Sequence, residues 1–128
     1  IADFMTIHMP LNDKTKNLIN KDCFLKMKDE SILVNTARGG IVNENDLYWA
    51  LKNKKIHAAG TDVFETEPPD DNNPLFQLDN ILMSPHNAAL TLECRKRMAI
   101  ELAENIIFYL ESDNKLNKGN IVNLQKLD

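Results

Sequence analysis

Ser31-Ile32-Leu33-Val34-Asn35-Thr36-Ala37-Arg38-Gly39-Gly40 is the stretch whose reading decides the fold. Residues 31–36 form a largely apolar run without strict alternation, the pattern of a strand buried in a parallel sheet. The run ends on a cation and then on a glycine pair that breaks the chain. The same grammar recurs twice downstream. Residues 56–63 are apolar and lead to Glu67; residues 80–84 are apolar and lead to His86. Parallel α/β sheets carry their chemistry at the carboxyl ends of their strands. Arg38, Glu67 and His86 therefore qualify as one constellation, able to grip an anion and move a proton.

Helices fill the spaces between these runs. Upstream, residues 4–8 read as a short strand stopped by Pro10. Asn20 is placed to cap a helix over residues 21–28, with Asp22 in its first turn and Phe24, Leu25 and Met27 as its apolar side. Asn43 caps a second helix, acidic at its start (Glu44, Asp46) and basic at its end (Lys52, Lys54, Lys55), an order that complements the helix dipole. Residues 64–78 form a long loop holding Pro68, Pro69 and Pro74, and loops of that length are usually functional or disordered. Residues 91–111 read as the longest helix, with Met98, Leu102, Ile106 and Leu110 on one face. Alternation of strand and helix predicts a Rossmann-like α/β fold with helices on both faces of a parallel sheet. Cys23 and Cys94 are isolated thiols inside predicted helices, expected to be buried, and offer neither a redox pair nor a zinc set.

Composition narrows the function. The net charge of −4 argues against a nucleic-acid surface, which requires a basic face. The basic clusters at residues 52–55 and 95–97 read as solvated helix surface. No apolar stretch approaches the ~20 residues of a membrane span. A cytoplasmic protein with no metal is expected. The chain opens on Ile1-Ala2-Asp3, which shows no leader pattern, and the missing Met suggests an internal piece of a longer polypeptide.

The three polar residues differ in what they offer. Arg38 presents a planar fork that matches a carboxylate. Asp62, at the end of an apolar strand, needs a partner or solvent. Glu67 precedes two prolines that stiffen its loop. His86 follows Ser84-Pro85, and a glutamate beside an imidazole favours the protonated ring.

Together these segments resemble the D-isomer-specific 2-hydroxyacid dehydrogenases. The resemblance is carried by Ala2-Asp3 through His8-Met9-Pro10-Leu11, by Thr15 with Leu18-Ile19, and by Phe24 through Lys28. It continues through Leu33 to Gly39, Ala59 to Pro68, Asp79-Asn80-Ile81 and Ser84-Pro85-His86, and closes with Gly119 to Asn123. It implies that Arg38 binds the substrate carboxylate and carbonyl oxygen. It implies that His86 gives a proton to that oxygen, or takes it back, and that Glu67 orients His86. Met9, Pro10, Thr15, Thr36, Ala37, Arg38, Asp62 and His86 would line the cofactor, NAD, with NADP left open. The substrate would be a small 2-oxo or 2-hydroxy acid, and the full-length protein a homodimer.

Two departures stand out. Asn87-Ala88-Ala89 replaces the glycine pair frequent after the family's histidine, and no G-x-G-x-x-G turn can be built from Gly39, Gly40, Gly60 and Gly119. The chain thus reads as the second half of a dinucleotide-binding domain, residues 1–112, followed by a tail, residues 113–128, towards a substrate domain. By itself it is expected to be inactive and to bind NAD weakly. The competing reading is an NAD-sensing corepressor-like binding protein of the same fold. Formate dehydrogenases pair the histidine with glutamine, so Glu67 argues against them.

Overall fold

The computed structural model describes residues 2–111. The chain divides into two compact units, residues 1–88 and 89–128. In the first, β1 (Phe4–Ile7), β2 (Ile32–Asn35), β3 (Ala58–Thr61) and β4 (Ile81–Met83) form one sheet in the order β1-β2-β3-β4. All three pairings are parallel, with Phe4 beside Ile32, Ile32 beside Ala58 and Ala59 beside Ile81.

Sequential order has a consequence. Right-handed crossovers that always step the same way put every connection on one face of the sheet. Accordingly α1 (Lys21–Phe24), α2 (Glu44–Lys52) and a 3-10 turn (Pro74–Gln77) share a core with the inward positions of the strands. Phe24, Leu33, Leu51, Ala59 and Leu75 lie in that one buried cluster. On the opposite face Phe4 and Leu82 are 70% and 79% exposed.

Local sequence explains the elements. Asn20 accepts hydrogen bonds from the N–H groups of Asp22 and Cys23, and Asn43 accepts one from Asp46, so both expected N-caps hold. The α1 helix is shorter than residues 21–28, because Lys26 and Met27 donate three residues back rather than four, to Cys23 and Phe24. That tightening closes the helix. The strands are shorter than the apolar runs because pairing stops where the chain turns. At β3, for example, the Thr61 hydroxyl donates to the Val63 carbonyl at 2.7 Å. The long loop is anchored rather than loose: Asn73 caps its 3-10 turn and Leu75, 1% exposed, plugs into the core. Both cysteines are free and only half-buried, not core residues; the Cys23 thiol reaches the Leu18 carbonyl at 3.3 Å.

The second unit contributes α3 (Leu92–Glu111), as expected from residue 91 onward. None of its residues is buried, and Leu102 and Leu110 are 64% and 69% exposed, so the apolar stripe does not form a core among the described residues. No described helix is long and apolar enough to cross a membrane. The expected tail, with Gly119 to Asn123, lies outside the described residues.

Candidate active site

The carboxyl ends of β2, β3 and β4 lie side by side, and each carries one of the expected polar residues. After β4, Ser84 stays on the ladder through its N–H to the Thr61 carbonyl, 3.0 Å. The chain then turns at Pro85, and His86 takes the left-handed backbone conformation with φ +53°. This region is uncommon for a residue with a Cβ. From there the imidazole Nδ1 reaches Glu67 Oε2 at 2.7 Å. A carboxylate only accepts, so Nδ1 carries the proton of this bond. Glu67 is itself held, since its Oε1 accepts the Phe64 N–H at 3.0 Å. Nε2 of His86 has no partner among the described residues, and the side chain is 47% exposed.

Asp62 lies beneath this pair. It is 3% exposed, and its carboxylate takes the Ser84 hydroxyl at 2.6 Å, the Asn87 N–H at 2.9 Å and the Ala88 N–H at 2.8 Å. Burial pushes its carboxyl up. The bonds from Ser84, Ala88 and Asn87 and the nearby His86 outweigh that, so its pKa lies below the ordinary aspartate value. Glu67 is also lowered, by the His86 hydrogen bond first and the Phe64 N–H second.

Arg38 does not join them. Among the described residues no hydrogen bond or ion pair links it to Glu67 or His86; it is exposed and its Nη1 folds back on the Ala37 carbonyl at 2.6 Å. Its backbone is nonetheless firmly placed. Buried Asn35 staples the turn, accepting from the Ala37 N–H at 3.1 Å and donating to the Arg38 carbonyl at 3.1 Å. Gly39 presses on the Glu67 loop so closely that a Cβ there would sit 1.7 Å from the Phe64 carbonyl oxygen. A hollow of about 480 Å³ opens beside the pair, lined by Asp62, Phe64, Glu67, Met83, Ser84 and His86 among others, but not by Arg38.

The remaining expected residues are less committed. Met9 and Ala37 are half-buried against the core, while Pro10 and Thr36 are exposed. The Thr15 hydroxyl is engaged within its own loop, donating to the Pro10 carbonyl at 2.8 Å and accepting from the Asn12 N–H at 2.8 Å. Sequence reasoning passed over Ser84 and Asn35. Their signal was a polar residue at the end of an apolar strand, the signal already used for Asp62.

Residues 1–88 match the family model described as D-isomer specific 2-hydroxyacid dehydrogenase, NAD binding domain. A hydroxypyruvate reductase from Thermotoga maritima is 47% identical over 107 residues, which are 82% of this chain and 35% of that protein. A D-3-phosphoglycerate dehydrogenase from Methanocaldococcus jannaschii is 46% identical over 123 residues, 96% of this chain and 23% of that protein. The crystal structure of D-lactate dehydrogenase with NAD+ from Lactobacillus jensenii superposes with a TM-score of 0.80 at 30% identity, covering 91% of this chain and 38% of that one. The chain thus spans about a third or less of the length of these curated relatives.

Proposed function

The chain belongs to the D-isomer specific 2-hydroxyacid dehydrogenase family, as part of its NAD-binding domain, and on that premise we propose that the protein carrying it moves a hydride between a nicotinamide and a small D-2-hydroxy or 2-oxo acid. The observation that carries this reading is the 2.7 Å contact between His86 Nδ1 and Glu67 Oε2 at the carboxyl ends of adjacent parallel strands. With Nδ1 tied to a carboxylate, the ring is held in one orientation and Nε2 is left to exchange a proton with a substrate oxygen. Glu67 stabilises the positive charge that His86 carries when Nε2 is protonated. Arg38 swings from the Ala37 carbonyl to grip the acid's carboxylate, which aligns the carbonyl with His86. A cationic histidine and arginine together offset the negative charge that develops on that oxygen.

When bound, the dinucleotide supplies the hydride or accepts it. The nicotinamide end would meet residues that follow the carboxyl ends of the strands: Met9, Pro10 and Thr15 after β1, Thr36, Ala37 and Arg38 after β2, and Asp62 and His86, which line the hollow. The pyrophosphate end does not. Such a group rests on free N–H groups at a helix N-terminus. Here Asn20 and Asp46 already accept from the start of α1, with Asp46 Oδ2 2.9 Å from the Lys21 N–H. Asn43 and Glu65 do the same for α2, with Glu65 Oε1 2.9 Å from the Glu44 N–H. Both termini are closed, and each by a carboxylate that repels a phosphate. This chain would therefore serve as the nicotinamide side of a dinucleotide domain whose phosphate turn is supplied from elsewhere.

The test is steady-state reduction of a panel of 2-oxo acids with NADH and NADPH by the protein that carries this chain. Turnover of at least one acid is expected, falling about 10²- to 10⁴-fold in His86→Ala and strongly in Arg38→Ala. Undiminished turnover in both variants would sink the assignment. NADH binding with no turnover of any acid would favour the non-enzymatic, corepressor-like reading.

A further inference from the structure

We infer that Asp62 and Ser84 form a latch that sets the backbone turn of His86, making them positioning residues for the proton-transfer histidine. This rests on the function proposed above.

The geometry is specific. One buried carboxylate binds the chain on both sides of His86. Its Oδ1 takes the Ser84 hydroxyl at 2.6 Å and the Asn87 N–H at 2.9 Å, and its Oδ2 takes the Ala88 N–H at 2.8 Å. The latch also has a fixed base. The Asp62 N–H donates to the Asn35 carbonyl at 2.9 Å, and the Ser84 N–H to the Thr61 carbonyl at 3.0 Å. Asp62 and Ser84 are therefore tied to the ends of β2 and β3. What they hold is the segment 84–88, with His86 at φ +53°. An L-residue takes that conformation at a cost, because its Cβ crowds the following carbonyl. The support is the two N–H groups after His86, both aimed at one anion.

Asn87 and Ala88 are used here through their backbones alone, and both side chains are exposed. This accounts for a chain that tolerates Asn87-Ala88 where small glycines are frequent: the latch reads N–H groups, not side chains. A carboxylate offers about four acceptor positions. With three occupied inside the protein, Asp62 keeps about one for a bound molecule and most of its bonding goes to the turn.

The variants that test the latch are Ser84→Ala, which removes one donor, and Asp62→Asn, whose amide must face either Ala88 or Asn87 with a donor against a donor. The first readout needs no cofactor. In the 128-residue chain, imidazole ¹⁵N shifts report which nitrogen of His86 carries the proton. In the parent chain Nδ1 is expected to be protonated and ordered towards Glu67. Both variants are expected to show tautomer averaging, while amide shifts of the sheet residues stay put. Ser84→Thr, which returns the hydroxyl, is expected to restore the Nδ1–H signature. If Asp62→Asn fails to fold, Ser84→Ala and its threonine rescue decide alone.

The second readout is kinetic, in the protein that carries residues 1–128. A displaced histidine lowers kcat about 10- to 100-fold with KM for NADH within about twofold. An unaltered tautomer in both variants would overturn the latch. So would a raised KM for NADH with kcat retained, since Asp62 would then act on the cofactor directly. If no 2-oxo acid is turned over by the parent protein, the proposed function fails, yet the NMR result still upholds or rejects the latch.

Discussion

His86 Nδ1 lies 2.7 Å from Glu67 Oε2, across 19 residues of sequence and two strand ends. The contact is made from a left-handed histidine and a glutamate pinned by the Phe64 N–H. It converts two exposed side chains into one oriented pair.

Glu67→Gln keeps the shape of that contact and removes its charge. Turnover of the best 2-oxo acid is expected to fall about 10²-fold or more, with the acid's KM changed far less, because the charge matters most once Nε2 is protonated. Steady-state kinetics at neutral pH measure it. Equal losses in kcat for Glu67→Gln and for a distant surface control would refute an oriented pair.

Gly39→Ala places a methyl where the Phe64 carbonyl already is, at 1.7 Å. The obstacle is backbone, so the Arg38 turn and the Glu67 loop must part. A destabilisation of about 1–3 kcal/mol follows, as for other overpacked sites. Urea unfolding should show a lower midpoint with an unchanged slope. A midpoint equal to that of the parent chain would mean the two loops are not in contact.

The chain should lose stability in acid for an identifiable reason. Asp62 and Glu67 both titrate below their ordinary values of 3.8 and 4.5. A carboxyl depressed in the folded state stabilises the fold above its unfolded pKa. That contribution fades as pH falls through the unfolded value and then the folded one. Glu67 is 37% exposed and is screened by solvent, so the larger share belongs to buried Asp62. Asp62→Asn is therefore expected to be less stable than the parent at pH 7, with the gap narrowing below about pH 4. Chemical unfolding at the two pH values reads this directly, and a constant gap would contradict it.

Titration calorimetry of the 128-residue chain with NADH is expected to give no binding tighter than millimolar, because Asp46 and Glu65 close the helix N-termini that a pyrophosphate needs. Sub-millimolar binding would show that the chain holds the phosphates by another route.

Much of this protein was legible in its residues. Apolar runs around Leu33, Ala59 and Ile81 specified strands, because burial in a parallel sheet demands them. Asn20 and Asn43 specified helix starts, because the first N–H groups of a helix need acceptors. The order of Arg38, Glu67 and His86 after those strands marked the edge where chemistry is expected. All of these are local requirements, met by neighbours in sequence. What tertiary structure alone decided is which of the marked residues meet. Parallel register set β3 beside β4, and so Glu67 beside His86 and Asp62 beneath Ser84, while Arg38 turned back on Ala37. Those outcomes depend on how far each loop reaches after its strand ends. The Gly39–Phe64 approach, the Asn35 staple and the Asp62 latch set that reach through bonds between distant residues, and a periodicity of neighbours does not record them.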